Sequence, residues 1–156
     1  PLPTQGRMRA SEHTDYGSLT ILRSGGPGLQ VKNRTSDAWI DVPHLRTSHF
    51  VINLGDLTSR WTNDRWMSTP HRVVFPPPPQ KSFLNRLPFF SSSASSSKRR
   101  QSLAYFHNLN ADANVSVIET CLLQGEEPKY PPIIAMEHLL QRHREATSGS
   151  KISTTS

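Results

Sequence analysis

Short apolar runs, each closed after a few residues by Gly, Pro or a polar turn, constrain this chain more than any other feature. Leu19-Thr20-Ile21-Leu22 is β-branched and apolar, and Ser24-Gly25-Gly26-Pro27-Gly28 breaks it. Leu29-Gln30-Val31 alternates and stops at the polar turn Asn33–Asp37, Trp39-Ile40-Asp41-Val42 stops at Pro43, and Phe50-Val51-Ile52-Asn53-Leu54 closes at Gly55-Asp56. His71–Phe75, ended by Pro76–Pro79, and Ser102–Phe106 continue the series, with Val115–Ile118 as a further candidate. Runs this short suit half-buried strands rather than amphipathic helices. Many of them at near-regular spacing predict a mainly β sandwich or barrel.

Helical periodicity enters only at Ala135–Ala146, where Met136, Leu139 and Leu140 are expected on one face and Glu137, Gln141 and Arg144 elsewhere. Ser91–Ser97 has the composition of a flexible linker, and the polar stretch Thr147–Ser156 is expected to be disordered. The expected organisation is therefore a β-domain over residues 1–123, with a Pro/Ser-rich insert at about 76–98, a helical C-terminal segment over 124–146 and a tail over 147–156.

Composition narrows the function classes. With 34% hydrophobic residues and 13 prolines in 156 residues, one modest core is feasible. The net charge of +6 invites a nucleic-acid partner. Yet the basic residues are scattered, and the densest run, Lys98-Arg99-Arg100, has no aromatic interleaving, which argues against one. A basic surface also suits an anionic cosubstrate. The single Cys121 excludes an intrachain disulfide and Cys-rich metal sites. Its apolar context, Val115–Leu123, predicts a buried structural thiol. No apolar run reaches about 18 residues, so no membrane span is expected. With no secretory hydrophobic segment in view, the expected location is the cytoplasm.

His13-Thr14-Asp15 places a neutral nitrogen donor and a carboxylate two positions apart. In extended backbone, residues i and i+2 share a face, so both can converge on one ion. His71 opens a later strand that a rolled sheet can bring alongside. Two His and one carboxylate on one side of a metal leave its other positions open, as in non-haem Fe(II) oxygenases. Spacing alone leaves alternatives open: most H-x-D tripeptides are surface or capping residues, and six other histidines, His44 and His49 among them, offer partners.

Arg100-Gln101-Ser102 repeats the i, i+2 geometry at the start of a strand. A guanidinium with a neighbouring hydroxyl is a good carboxylate receptor. The rival reading is a phosphorylation site for a basic-directed kinase, and the apolar strand that follows favours the inward-facing receptor.

The ordered series of motifs resembles the iron-binding core of the isopenicillin N synthase-like dioxygenases. It runs from His13-Thr14-Asp15-Tyr16-Gly17-Ser18-Leu19-Thr20-Ile21-Leu22 through Gly28-Leu29-Gln30-Val31, Trp39-Ile40-Asp41-Val42-Pro43 and Val51-Ile52-Asn53-Leu54-Gly55-Asp56. Trp61-Thr62-Asn63-Asp64-Arg65 with Ser68-Thr69-Pro70-His71-Arg72-Val73 is its most distinctive part. The Arg-x-Ser pair with Tyr105-Phe106-His107-Asn108 completes it, so that the resemblance covers roughly residues 11–118. Lys129-Tyr130-Pro131-Pro132 is similar as well.

The resemblance implies a double-stranded β-helix, or jelly roll, incomplete at its N-terminal side, with a C-terminal helix. It implies His13, Asp15 and His71 as Fe(II) ligands and Arg100 with Ser102 as the anchor for 2-oxoglutarate. The implied activity is oxidative decarboxylation of 2-oxoglutarate by O2, coupled to hydroxylation, desaturation or cyclisation of a small organic substrate. Some members use the Arg-x-Ser pair for the substrate's own carboxylate. On the same basis Gly55-Asp56 is expected to be a turn, and Leu29, Val31, Trp39, Val51 and Ile52 core residues. Tyr105 and Phe106 alternate faces, so at most one lines the site.

Two features depart from the family pattern. Arg100 follows His71 by about 29 residues, further than usual, and only about ten residues precede the H-x-D motif. The alternative function is thus a catalytically inactive β-domain acting as a binding or scaffold fragment. A zinc hydrolase with the same three ligands lacks a His-Glu-x-x-His general-base motif and ranks lower.

Overall fold

The computed structural model describes residues 8–44, 49–75 and 100–149. The Pro76–Pro79 stop, the expected insert at 76–98 and residues 150–156 of the expected tail lie outside them. Two antiparallel sheets face each other in a jelly-roll arrangement. The first has strand order β1-β6-β3-β4, formed by β1 (Met8–His13), β6 (His71–Val74), β3 (Leu29–Lys32) and β4 (Trp39–Asp41). The second has order β5-β2-β7, formed by β5 (Val51–Leu54), β2 (Leu19–Ser24) and β7 (Ser102–His107). Neighbouring strands are often remote in sequence, so closing the sheets aligns distant segments residue by residue.

Alternation decides what faces the space between the sheets. In β3 and β6, Val31 pairs with His71 and Leu29 with Val73, and all four point inward. Between them Gln30 and Arg72 point outward, where Arg72 Nε donates to Gln30 Oε1 at 2.7 Å and the guanidinium lies 4.0 Å from the centre of the Trp39 ring. Trp39 is thus a platform on the outer face, not the core residue expected from sequence. Ile52, also expected in the core, is 62% exposed on the outer face of the second sheet, opposite Ile21 and one strand from Tyr105. Leu29, Val31 and Val51 line the cleft itself.

A turn between β2 and β3 brings the start of β7 close. A Cβ on Gly25 would collide with the backbone carbonyl of Gln101, so only glycine fits. The hairpin from β3 to β4 is closed by Asn33, whose side-chain oxygen accepts from the backbone N–H of Thr35 and Ser36, and by Asp37 at φ 56°.

Helix α1 (Asp56–Trp61) follows β5 where the sequence suggested a turn. Its first backbone N–H groups donate to the loop after β1: Asp56 to Asp15 at 2.7 Å and Leu57 to Gly17 at 3.2 Å. Those bonds satisfy donors that a helix start leaves open. Strand β8 (Asn114–Val115) pairs with β9 (Ile133–Ile134), and helix α2 (Ala135–Gly149) follows. The strand expected over Val115–Ile118 reduces to that short pair, because the Ile118 N–H leaves the ladder to donate to Trp61 O at 2.9 Å. A small core of Leu57, Val115 and Ala135 joins α1, β8 and α2, supported by Trp61, Leu109 and Ile133.

The buried side of α2 is not the one periodicity suggested. Ala135 and His138 are buried, whereas Met136 and Leu140 are 42% and 46% exposed. The helix also extends to Gly149, three residues past the expected end, with the Thr147 and Ser148 hydroxyls donating to His143 O and Arg144 O at 2.8 Å. Cys121 is a free, half-buried thiol in a 3-10 turn rather than a core residue.

Candidate metal centre

His13 and His71 are direct partners in the β1–β6 ladder. Residues opposite each other on antiparallel strands project to the same side, so the two imidazoles meet, their ring centres 4.3 Å apart. Asp15 follows two residues after His13 and reaches the same side from the loop beyond β1. Its carboxylate oxygen Oδ1 lies 3.8 Å from His13 Nε2 and 3.7 Å from His71 Nε2.

Both rings are oriented by the backbone. His13 Nδ1 lies 2.8 Å from Ser11 O, and His71 Nδ1 lies 3.0 Å from Thr69 O. A carbonyl oxygen only accepts, so Nδ1 is the donor in each pair, and Nε2 of each ring is the atom left facing Asp15. Asp15 is 8% exposed, and its other oxygen is held by two donors. Thr20 Oγ1 donates to Oδ2 at 2.5 Å and Asn53 Nδ2 at 2.7 Å. These bonds turn Oδ1 toward the histidines.

The donor atoms of His13, Asp15 and His71 all lie within 4.8 Å of one another, the one such grouping of His, Cys, Asp and Glu side chains among the described residues. Metal bonds of about 2.0–2.2 Å let donors up to about 4 Å apart share an ion. Asp15 Oδ1 can therefore share one with either imidazole. The donor set fits a divalent first-row ion with open positions. His44 and His49 lie outside the group.

The triad sits in a cleft of about 190 Å³ between the sheets. Leu22, Val51, Ala104 and Phe106 line one wall, and Ala10, Leu29, Val31 and Val73 the other. Arg100 and Ser102 border the same cleft. Phe106 faces it, whereas Tyr105 is 61% exposed on the opposite face. Arg100 Nε donates to Gly26 O at 3.1 Å and Nη2 to Ser24 Oγ at 2.9 Å, which fixes the guanidinium plane. Burial, with the nearby charge of Arg9, lowers the Arg100 pKa. An arginine stays charged at neutral pH nonetheless, so a partly desolvated cation faces the cleft.

Sequence reasoning missed Thr20, Asn53 and Asp56 as parts of this centre. Asn53 carried a signal: it is a polar residue on the inward face of an apolar strand, where an unpaired amide is costly.

A jelly-roll cleft holding two imidazoles, one carboxylate and a distal guanidinium defines a mononuclear metal oxygenase scaffold. The model of the 2OG-Fe(II) oxygenase superfamily matches residues 1–109, and the chain belongs to that superfamily. It is 34% identical over 136 residues to the 2-oxoglutarate-Fe(II) type oxidoreductase ppzD of Metarhizium rileyi, covering 86% of this chain and 35% of the relative. To hxnY of Emericella nidulans, of the same type, it is 36% identical over 122 residues, or 78% of this chain and 29% of the relative. Among solved structures, a full-length Neurospora crassa protein crystallised in complex with alpha-KG superposes with a TM-score of 0.69 and 34% identity, over 91% of this chain and 39% of that one. The chain thus spans about a third of the length of the curated relatives it matches.

Proposed function

We propose that His13, Asp15 and His71 bind one Fe(II) ion, and that the protein couples oxidative decarboxylation of 2-oxoglutarate to the oxidation of a small organic substrate. The supporting observation is the direct pairing of His13 with His71, each with Nδ1 held by a backbone carbonyl and Nε2 turned to Asp15. When bound, Fe(II) supplies the redox chemistry by which O2 converts 2-oxoglutarate to succinate and CO2 while the substrate is oxidised. Two neutral imidazoles and one carboxylate leave a divalent ion a net positive charge, which favours chelation by an anionic keto acid. Arg100 and Ser102 receive the distal carboxylate of 2-oxoglutarate, and the bonds from Arg100 to Ser24 and Gly26 hold that receptor in one orientation. The apolar walls offer a surface for the apolar part of a substrate.

Residues 1–123 carry this unit, with 124–146 as its C-terminal segment. A cytoplasmic location suits it, because a reducing compartment keeps iron as Fe(II) and leaves Cys121 free. No helix among the described residues is long and apolar enough to cross a membrane.

Anaerobic titration of the chain with Fe(II) and then 2-oxoglutarate should give the weak visible absorption of the chelate, and air should then release succinate. A folded chain that gives neither would refute the enzyme reading. It would favour the second reading, a β-domain that binds another polypeptide without turnover. One observation supports that alternative: Ile52, Leu103 and Tyr105 are 62%, 73% and 61% exposed on one sheet face.

A further inference from the structure

Metal-binding residues come from two segments that are far apart in sequence, and one carboxylate touches both. Asp56, the first residue of α1, accepts from Thr14 Oγ1 at 3.0 Å through Oδ2 and from Ser68 Oγ at 2.5 Å through Oδ1. Thr14 lies between His13 and Asp15, and Ser68 lies on the segment that enters β6 at His71. The Asp56 backbone N–H adds a third tie, to Asp15 O at 2.7 Å.

The carboxylate is itself held from α2. Arg142 Nε donates to Asp56 Oδ2 at 3.0 Å, and Nη2 lies 2.9 Å from the same oxygen. Nη2 also reaches Thr14 Oγ1 at 3.5 Å, while the guanidinium lies 5.2 Å from the centre of the Tyr16 ring. Glu145 receives Nη1 at 2.8 Å.

We propose that Asp56 is a positioning residue for the metal centre, setting the separation of the two ligand-bearing segments, and that Arg142 acts through it from the C-terminal helix. This rests on the metal reading of the triad given above. A carboxylate suits the task because each oxygen accepts a hydroxyl from a different segment at once, whereas an amide offers one acceptor. Outer groups of this kind set ligand direction and hence metal affinity.

The test is a Co(II) titration of the full chain followed by d–d absorption, beside urea unfolding of the metal-free protein. Asp56→Ala is expected to weaken Co(II) binding about 10–100-fold and to change the band shape that reports coordination. Arg142→Met is expected to weaken binding several-fold in the wild-type background and to add nothing in the Asp56→Ala background. Should Asp56→Ala fail to fold, Thr14→Val and Ser68→Ala each remove one arm of the brace, and each is expected to weaken Co(II) binding.

Arg60→Met serves as a control. It loses the bond to Pro131 O and the stack over Tyr130, and should lower the urea midpoint while leaving Co(II) affinity intact. Wild-type affinity and spectrum in Asp56→Ala, or in both single-arm variants, would overturn the brace. So would an Arg60→Met loss as large as that of Asp56→Ala, since it would mark general loosening. A wild-type chain that takes up no Co(II) would instead overturn the metal site itself, and the brace with it.

Discussion

At the triad end of the cleft, side chains are held by neighbours from other elements, whereas the Arg100 end rests, among the described residues, on the outermost strand of its sheet. Asp15 is buried and bonded by Thr20 of β2 and Asn53 of β5, and its loop is pinned by α1 and, through Asp56, by α2. Ser102 opens β7, where every residue is exposed, and Arg100 just before it is bonded, among the described residues, to Ser24 at the end of β2 and Gly26 in the turn that follows. One end is over-determined and the other adjustable. On the proposed reading, misplacing a metal ligand would cost the ion, while misplacing the anchor would cost only part of the affinity for a cosubstrate that the ion also holds, by its keto-acid end.

The largest expected effect removes the metal end outright. His71→Ala should abolish Fe(II)-dependent succinate release and Co(II) uptake; retention of either would mean that the triad is not the metal site. Next is Asn53→Leu, which leaves Asp15 Oδ2 with Thr20 alone. Loss of a hydrogen bond to a buried charged group should destabilise the metal-free fold by about 1–3 kcal/mol in urea unfolding, and should weaken metal binding too. An unchanged unfolding midpoint would break the claim that this end is tightly determined.

Arg100→Ala should leave Co(II) affinity near wild type and raise the 2-oxoglutarate concentration needed for half-saturation by about 10–100-fold, from the roughly 1.5–3 kcal/mol of a charged hydrogen bond. If that requirement stayed the same, the anchor would lie elsewhere. The smallest effect concerns His138 on α2, which is 8% exposed and whose Nε2 has no partner among the described residues.

Burial first, then the charges of Arg60 and Arg142, lower the His138 pKa, against Asp56 and the Tyr16 backbone, which raise it. The unfolded chain therefore binds this proton more tightly than the folded one. Stability should be full above the unfolded value of about 6.5 and decline as pH falls below it, toward the lower folded value. His138→Gln should flatten the fall in urea midpoint between about pH 6.5 and 5; an unaltered slope would assign the acid sensitivity to other groups.

How much of this was legible depended on range. His13 and Asp15 could be paired from i, i+2 spacing, because strand geometry is local. Which histidine stands opposite His13 is a matter of register between β1 and β6, and only the family resemblance singled out His71. Strand β1 carries Arg9, Ser11 and Glu12, so it lacks the apolar alternation that marks a strand. Helix α1 was invisible for a related reason. Thr58 and Ser59 are buried there as polar residues, with the Thr58 hydroxyl donating to Ser18 O at 2.8 Å, so no apolar stripe announces it. Trp39 and Ile52 were misassigned because alternation says which residues share a face but not which face meets the cleft.

The pairing of His13 with His71 has a consequence for folding. Strand β1 meets β6 with register irregularities between Met8 and Ala10 and between Ala10 and His13, so its alignment is not enforced by a regular ladder. A slip by one residue would turn His13 to the outer face and leave His71 without its counterpart. A divalent ion rewards only the alignment in which both imidazoles reach it, and binding raises the population of that alignment alone. If the triad binds an ion as proposed, occupancy would work as proofreading: the ion would check that two distant strands have been zipped in step.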